Sequence, residues 1–135
     1  MKKTLYIFLC LIIVSCGKDD DIATDPLIGV WLSEGTTVED GGEVSYSFTY
    51  TFNSDNTGSE SVIFTYDGEP GSESETFIWN NKGLDFKATS QTYNLTYTDT
   101  DGGVDIVVNV ANFSNDFKTF KFEDFEAEIN PFTKQ

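Results

Sequence analysis

Histidine and arginine are absent from these 135 residues, and methionine occurs once. Without imidazole, the usual proton-transfer group near neutral pH is missing. Without guanidinium, so is the usual clamp on a developing oxyanion. Lysine supplies all eight basic residues, against 23 acids, for a formal net charge of −15. Nucleic-acid binding needs cations that neutralise phosphates, so this composition excludes it. Adhesion to anionic lipid by charge fails on the same ground. Cysteine is nearly absent too, with Cys10 and Cys16 alone, and both fall in the first segment. A disulfide framework is therefore not expected, and stability has to come from a hydrophobic core.

What the chain does have begins with that first segment. Lys2 and Lys3 precede an apolar run from Leu5 to Val14, followed by the small Ser15 and then Cys16. This is the layout of a secretory signal. As a helix the run would reach about 15 Å, half of the ~30 Å hydrocarbon core, so a permanent span is the weaker reading. Ile13-Val14-Ser15-Cys16 resembles a bacterial lipobox. The resemblance implies cleavage before Cys16, a diacylglyceryl group on its sulfur and an acyl group on its amine. Chains of this kind, at about 0.8 kcal/mol per buried CH₂, anchor a protein permanently. Cys10 would leave with residues 1–15 and Cys16 would be alkylated, so no free thiol would remain. Loss of Lys2 and Lys3 would bring the charge to −17, as expected of a soluble domain that repels its neighbours.

Residues 16–26 carry Gly17, Lys18, Asp19, Asp20 and Asp21 and no apolar period, and read as a flexible acidic tether. The acidic run resembles the export signal that carries some Gram-negative envelope lipoproteins to the cell surface. A solvated spacer is the plainer alternative. The expected location is the outer membrane, lipid-anchored, with the domain facing either the periplasm or the surface.

From residue 27 to 135 the pattern has a period of two. Val44, Tyr46, Phe48, Tyr50 and Phe52 alternate with Ser45, Ser47, Thr49 and Thr51. The same alternation is read in Val62, Phe64 and Tyr66; Phe77 and Trp79; Leu84 and Phe86; Tyr93, Leu95 and Tyr97; and Val104, Ile106, Val108 and Val110. A last segment changes phase between Phe120 and Phe122 on one side and Phe125, Ala127 and Ile129 on the other, which predicts a β-bulge near Glu123 and Asp124. Turn residues separate the segments at Asp40-Gly41-Gly42, Asn53 to Gly58, Asp67-Gly68, Asn80 to Gly83, Asp101-Gly102-Gly103 and Asn112 to Asp116. With Ile28 to Leu32 this makes about eight antiparallel strands and no helix. Sequential hairpins favour an all-β up-and-down meander, and closure removes its edges.

Leu27-Ile28-Gly29-Val30-Trp31, the turn Phe52-Asn53-Ser54-Asp55-Asn56-Thr57-Gly58, and Phe77-Ile78-Trp79 followed by Asn81-Lys82-Gly83-Leu84 resemble the lipocalin-like domains of small bacterial envelope lipoproteins. The resemblance implies a calycin-type barrel whose Gly-x-Trp tryptophan closes the base under a cation from a late strand. With arginine absent, Lys118 or Lys121 is the expected stand-in. It also implies a small hydrophobic or amphipathic ligand. Trp31, Tyr46, Tyr50, Tyr66, Trp79, Tyr93 and Tyr97 are the candidate ligand-binding residues, with several tyrosines expected near one open end because a buried phenol needs a partner. The alternative is a solid-cored barrel that serves as an accessory subunit of an outer-membrane complex through an exposed surface.

Other chemistry finds little support. Asp99, Asp101 and Asp105 surround a glycine turn, and carboxylates suit Ca²⁺, but the full calcium loop is lacking and a solvated hairpin explains them. Transition-metal sites lack both histidine and a free thiolate. Carboxylate pairs of the glycosidase kind remain open in principle. The acids are read as lying mainly in turns and outward positions, so no enzyme activity and no cofactor are expected.

Overall fold

The computed structural model describes residues 24–83, 85–123, 125 and 129–135. The leader, Cys16 and most of the tether lie outside them, as do Leu84, Asp124 and Ala127. Eight strands follow in chain order: β1 (Gly29–Glu39), β2 (Gly42–Phe52), β3 (Thr57–Tyr66), β4 (Glu69–Asn81), β5 (Ser90–Thr98), β6 (Val104–Phe113), β7 (Thr119–Phe122) and β8 (Phe132–Lys134). Each pairs antiparallel with the next, and β8 returns to β1 through Trp31↔Lys134 and Leu32↔Thr133, closing an up-and-down barrel. The tight turns behave as their residues dictate. Asp40-Gly41 and Asp67-Gly68 all have positive φ, which gives two-residue loops whose twist matches the flanking strands.

Three expectations are corrected. Residues 82–83 and 85–89 lie outside any strand, with Phe86 in a turn, where a strand through Leu84 and Phe86 was expected. The eighth strand comes instead from the last segment. There β7 stops at Phe122, and Phe125 and Ile129 lie outside any strand. Glu123 lies in a turn after β7, and Asp124, where a bulge was also expected, lies outside the described residues. The third correction concerns phase on β6. Val104, Ile106 and Val108 point outward and are exposed, whereas Val107, Ala111 and Phe113 share the inner face with Leu95, Gln91 and their neighbours. Four β-branched residues at a strand period mimic an inner face, but Asp105, Val107, Asn109 and Ala111 occupy it.

Apart from Glu43 at the start of β2, the outer wall of β2 to β6 carries no charge. The outward residues are Ser45, Ser47, Thr49 and Thr51 on β2; Ser59, Ser61, Ile63 and Thr65 on β3; and Ser72, Ser74, Thr76, Ile78 and Asn80 on β4. The β5 wall continues this with hydroxyls and Asn94, and the β6 wall with Val104, Ile106, Val108 and Val110. No carboxylate stands on these stretches. Glu60, Glu75 and Asp105 lie instead in phase with the core. A hydroxyl wall is also not the outward apolar band that a membrane-spanning barrel presents to lipid.

The barrel is filled at one end only. Leu27, Trp31, Phe52, Phe77, Trp79, Tyr93, Leu95, Ala111, Phe113, Phe120, Phe122 and Phe132 form the buried core. Some neighbouring rings meet edge to face, as Trp31 does with Phe120 at 4.8 Å and 83°, an arrangement that ring quadrupoles favour, and others are tilted, as Trp31 is against Phe113. A Cβ on Gly58 would lie 2.2 Å from the Phe77 ring. Glycine at the start of β3 thus lets Phe77 press against the wall.

Candidate functional site

The two ends of the barrel are chemically different. The filled end, where the chain enters, is locked by Asp25, a buried carboxylate. Its Oδ1 accepts hydrogen bonds from the Leu27 amide at 2.9 Å and the Tyr93 hydroxyl at 2.8 Å, and its Oδ2 accepts one from Asn81 Nδ2 at 2.9 Å. Gln91 Oε1 accepts from Asn81 and Tyr93, and Gln91 Nε2 donates to the Ala88 carbonyl. Asp25 therefore belongs to the folded domain, and the tether read as ending at Pro26 ends earlier. The Tyr93 hydroxyl is raised well above the usual phenol range, first by burial and then by the neighbouring Asp25 carboxylate. It stays protonated and donating.

Trp31 sits above this network, fully buried, with its indole N–H donating to the Leu27 carbonyl at 2.7 Å. The cation over its ring is Lys134, with Nζ 5.1 Å from the centroid. Neither Lys118 nor Lys121 takes that place, because β8 is the strand paired with β1 at Trp31. Gly29 explains the remainder of the Gly-x-Trp motif. Its φ of +136° disfavours a side chain, and a Cβ there would stand 2.9 Å from Lys134 Cε. Burial lowers the Lys134 ammonium below the usual lysine range, an effect that Asp25 opposes.

The other end is open. A cavity of about 540 Å³ descends between Phe48, Tyr50 and Phe125 on one side and Val107 and Asn109 on the other, with Glu60, Glu75, Tyr97, Asp99 and Asp105 completing the wall. The sheet register puts these groups together. Tyr50 faces Glu60, Glu60 faces Glu75, and Tyr97 faces both Phe77 and Asp105. The Tyr97 hydroxyl donates to Glu60 Oε2 at 2.9 Å, and Tyr50 stands opposite Glu60 on the neighbouring strand. Both phenols are raised above their usual range by burial and then by the Glu60 charge. Burial likewise pushes Glu60 upward, opposed by the phenols Tyr97 and Tyr50 and reinforced by Glu75.

This has a consequence for stability. A carboxyl group whose pKa is raised in the folded state binds its proton more tightly there than in the unfolded chain. Its contribution is fully present below the ordinary glutamate range and is lost as pH rises through the raised value. Glu60→Gln should therefore gain stability relative to the parent over a window that opens at the ordinary glutamate value, about pH 4, and extends upward. Urea unfolding at a series of pH values measures this; a difference that stays flat across the window contradicts it.

The candidate residues thus separate. Tyr50 and Tyr97 meet in the cavity. Trp31, Trp79 and Tyr93 belong to the filled end, where the Trp79 indole donates to the Thr57 carbonyl at 3.0 Å. Tyr46 is tied by its hydroxyl to the Asn130 amide at 2.8 Å, and Tyr66 is exposed at the end of β3 beside Gly42. Tyr46, Tyr50, Tyr66 and Tyr97 share the inward phase, and of these Tyr50 and Tyr97 line the cavity. The acids do lie mainly in turns and outward positions, as read; the inward-phase Glu60, Glu75 and Asp105 are exceptions. Their signal was present in the sequence. Glu60 is in phase with Val62, Phe64 and Tyr66, and Glu75 with Phe77 and Trp79.

Comparison with family models, with curated proteins and with solved structures gives no match. The lipocalin-like reading rests on the quoted residues and the barrel alone.

Proposed function

We propose that this chain is a lipid-anchored envelope protein, held by Cys16, whose barrel binds a small amphipathic ligand in its open end. The observation that carries the reading is the asymmetry of the barrel. One end is packed with rings and locked by Asp25, while the other keeps a cavity of about 540 Å³ walled by Phe48, Tyr50, Tyr97 and Val107. That volume lies in the range of small-molecule sites, and such sites combine apolar walls with a few placed polar groups. No catalytic role is assigned.

Calorimetric titration with 4-phenylbutanol and 4-phenylbutylamine tests the binding. Saturable binding of at least one probe by the parent, lost in Val107→Trp with an unchanged circular dichroism spectrum, supports the reading. Saturable binding of neither, or binding that survives Val107→Trp, overturns it. The anchor is tested in the same preparation by metabolic acyl labelling, which Cys16→Ser should abolish and which would contradict lipidation if it persisted.

A second reading has its own observation. Ile78 on β4 and Val104, Ile106 and Val108 on β6 are exposed on the uncharged outer wall, at 62%, 63%, 56% and 57% of full exposure. An accessory role in an outer-membrane complex would use this wall, since contiguous exposed aliphatics mark interaction surfaces.

A further inference from the structure

We propose that β6 presents an open strand edge on which a second copy of this chain docks, edge to edge and antiparallel. This is independent of ligand binding in the open end. The β6 strand runs from Val104 to Phe113, but β7 pairs only with Ala111, Asn112 and Phe113. Backbone bonds say which residues face the free side. Gly103 and Phe113 bond across to Asp99 and Thr89 on the β5 side, so in an antiparallel ladder the odd-numbered residues turn their polar groups to β5 and the even-numbered ones away from it. Val110 fits this parity, because its carbonyl accepts from the Glu123 amide on the β7 side at 2.9 Å. Val104, Ile106 and Val108 therefore aim their N–H and C=O groups at the free edge, and among the described residues none bonds to them.

The same three residues carry exposed β-branched side chains. Edges in folded proteins are commonly blunted by charge, proline or a covering segment. β1 beyond Leu32, the other long strand that outruns its short neighbour, shows such devices: Glu34 is exposed there, and its carbonyl accepts from Asn130 Nδ2 at 2.6 Å. On this stretch of β6 the outward side is purely aliphatic.

The occupant follows from charge and symmetry. The chain carries a formal −15, and the uncharged outer wall is where two copies meet without opposing like charges. A basic partner would find no carboxylate on that wall. The stretch is also self-complementary. Centred on Ile106, an antiparallel pair sets Ile106 against Ile106, and Val104 of each copy against Val108 of the other, so all three free residues gain backbone partners and aliphatic neighbours. Asp105 then faces Val107 of the second copy. Centring the pair one residue earlier would set Asp105 against Asp105, a like-charge contact that destabilises a sheet. The single charge of the stretch thus selects the register.

Disulfide trapping of the full-length chain, in a mild detergent extract of cells that make it, tests the pair. The parent, with Cys10 and Cys16 as its only cysteines, sets the background. On mild oxidation Ile106→Cys should give a linked dimer at least about tenfold above Ile63→Cys, because a formed interface holds two thiols at an effective concentration that collision does not reach. Ile63 is as exposed but lies on β3, away from the edge. The register is read separately. Val104→Cys alone should not link, since its two copies would lie about 14 Å apart, beyond disulfide reach. Val104→Cys combined with Val108→Cys in one chain should link. Linking no stronger in Ile106→Cys and in the combined variant than in Ile63→Cys overturns the docking. Linking of Ile106→Cys to a chain of different mass gives the edge to another protein and overturns the second copy, and a dimer from Val104→Cys alone overturns the stated pairing.

Discussion

Trp31→Ala is expected to lower the unfolding free energy by about 4 kcal/mol, within the range for removing a large buried ring. Three losses combine. The ring packs edge-on against Phe120 and tilted against Phe113, so truncation opens a cavity among side chains that already fill their space. The Leu27 carbonyl loses the indole donor. Lys134 loses the ring face under its ammonium and is left beside a void. Barrel closure depends on this point, because β8 has only three residues and meets β1 at Trp31 and Leu32. Trp31→Phe separates the contributions. It keeps most of the packing but orphans the carbonyl, and should cost about half as much. Urea unfolding measures both; a loss below about 1 kcal/mol for Trp31→Ala would mean that the filled end does not carry the fold.

Asp25→Ala is the second large effect, expected at about 3 kcal/mol. The carboxylate accepts from the Leu27 amide, the Tyr93 hydroxyl and Asn81 Nδ2. Removing it leaves the Leu27 amide without this acceptor. Tyr93 and Asn81 keep Gln91 Oε1, so the damage stops short of losing the whole network. Asp25→Asn offers an oxygen to Leu27 and Tyr93 but turns an amide nitrogen towards another amide, and should cost about 1 kcal/mol. Equal losses for the two variants would show that charge, not the count of acceptors, holds this corner. Thermal unfolding at neutral pH distinguishes the cases.

The barrel was legible in the sequence because its inner face repeats every second residue and its turns carry Asp-Gly and Asn-rich loops. The β2 alternation from Val44 to Phe52 fixes strand, face and length at once. Legibility failed where two signals coincided. On β6 the outward Val104, Ile106 and Val108 are more apolar than the inward Asp105 and Asn109, so hydrophobicity pointed to the wrong face. Leu84 and Phe86 offer a two-residue alternation, too short to tell a strand from a loop that half-buries Phe86.

Asp25 looks like part of an acidic spacer because its partners Tyr93 and Asn81 are more than fifty residues away. The cavity was half legible. Tyr50 and Tyr97 stood out as phenols needing partners, but the partner Glu60 was passed over as one acid among 23. Placing it required only the phase of β3: a glutamate two residues from Val62 and four from Phe64 faces the same way they do.

The most direct measurement is a nuclear magnetic resonance titration of the folded domain with 4-phenylbutylamine, following the backbone amide signals together with the aromatic ring signals. Perturbations should concentrate on Tyr50, Tyr97, Phe48, Glu60 and Val107 and leave the Trp31 and Trp79 indole N–H signals in place. Saturable shifts centred on the outer wall of β4 to β6 or on the two indoles, with Tyr50 and Tyr97 unmoved, would contradict a ligand site in the open end of the barrel.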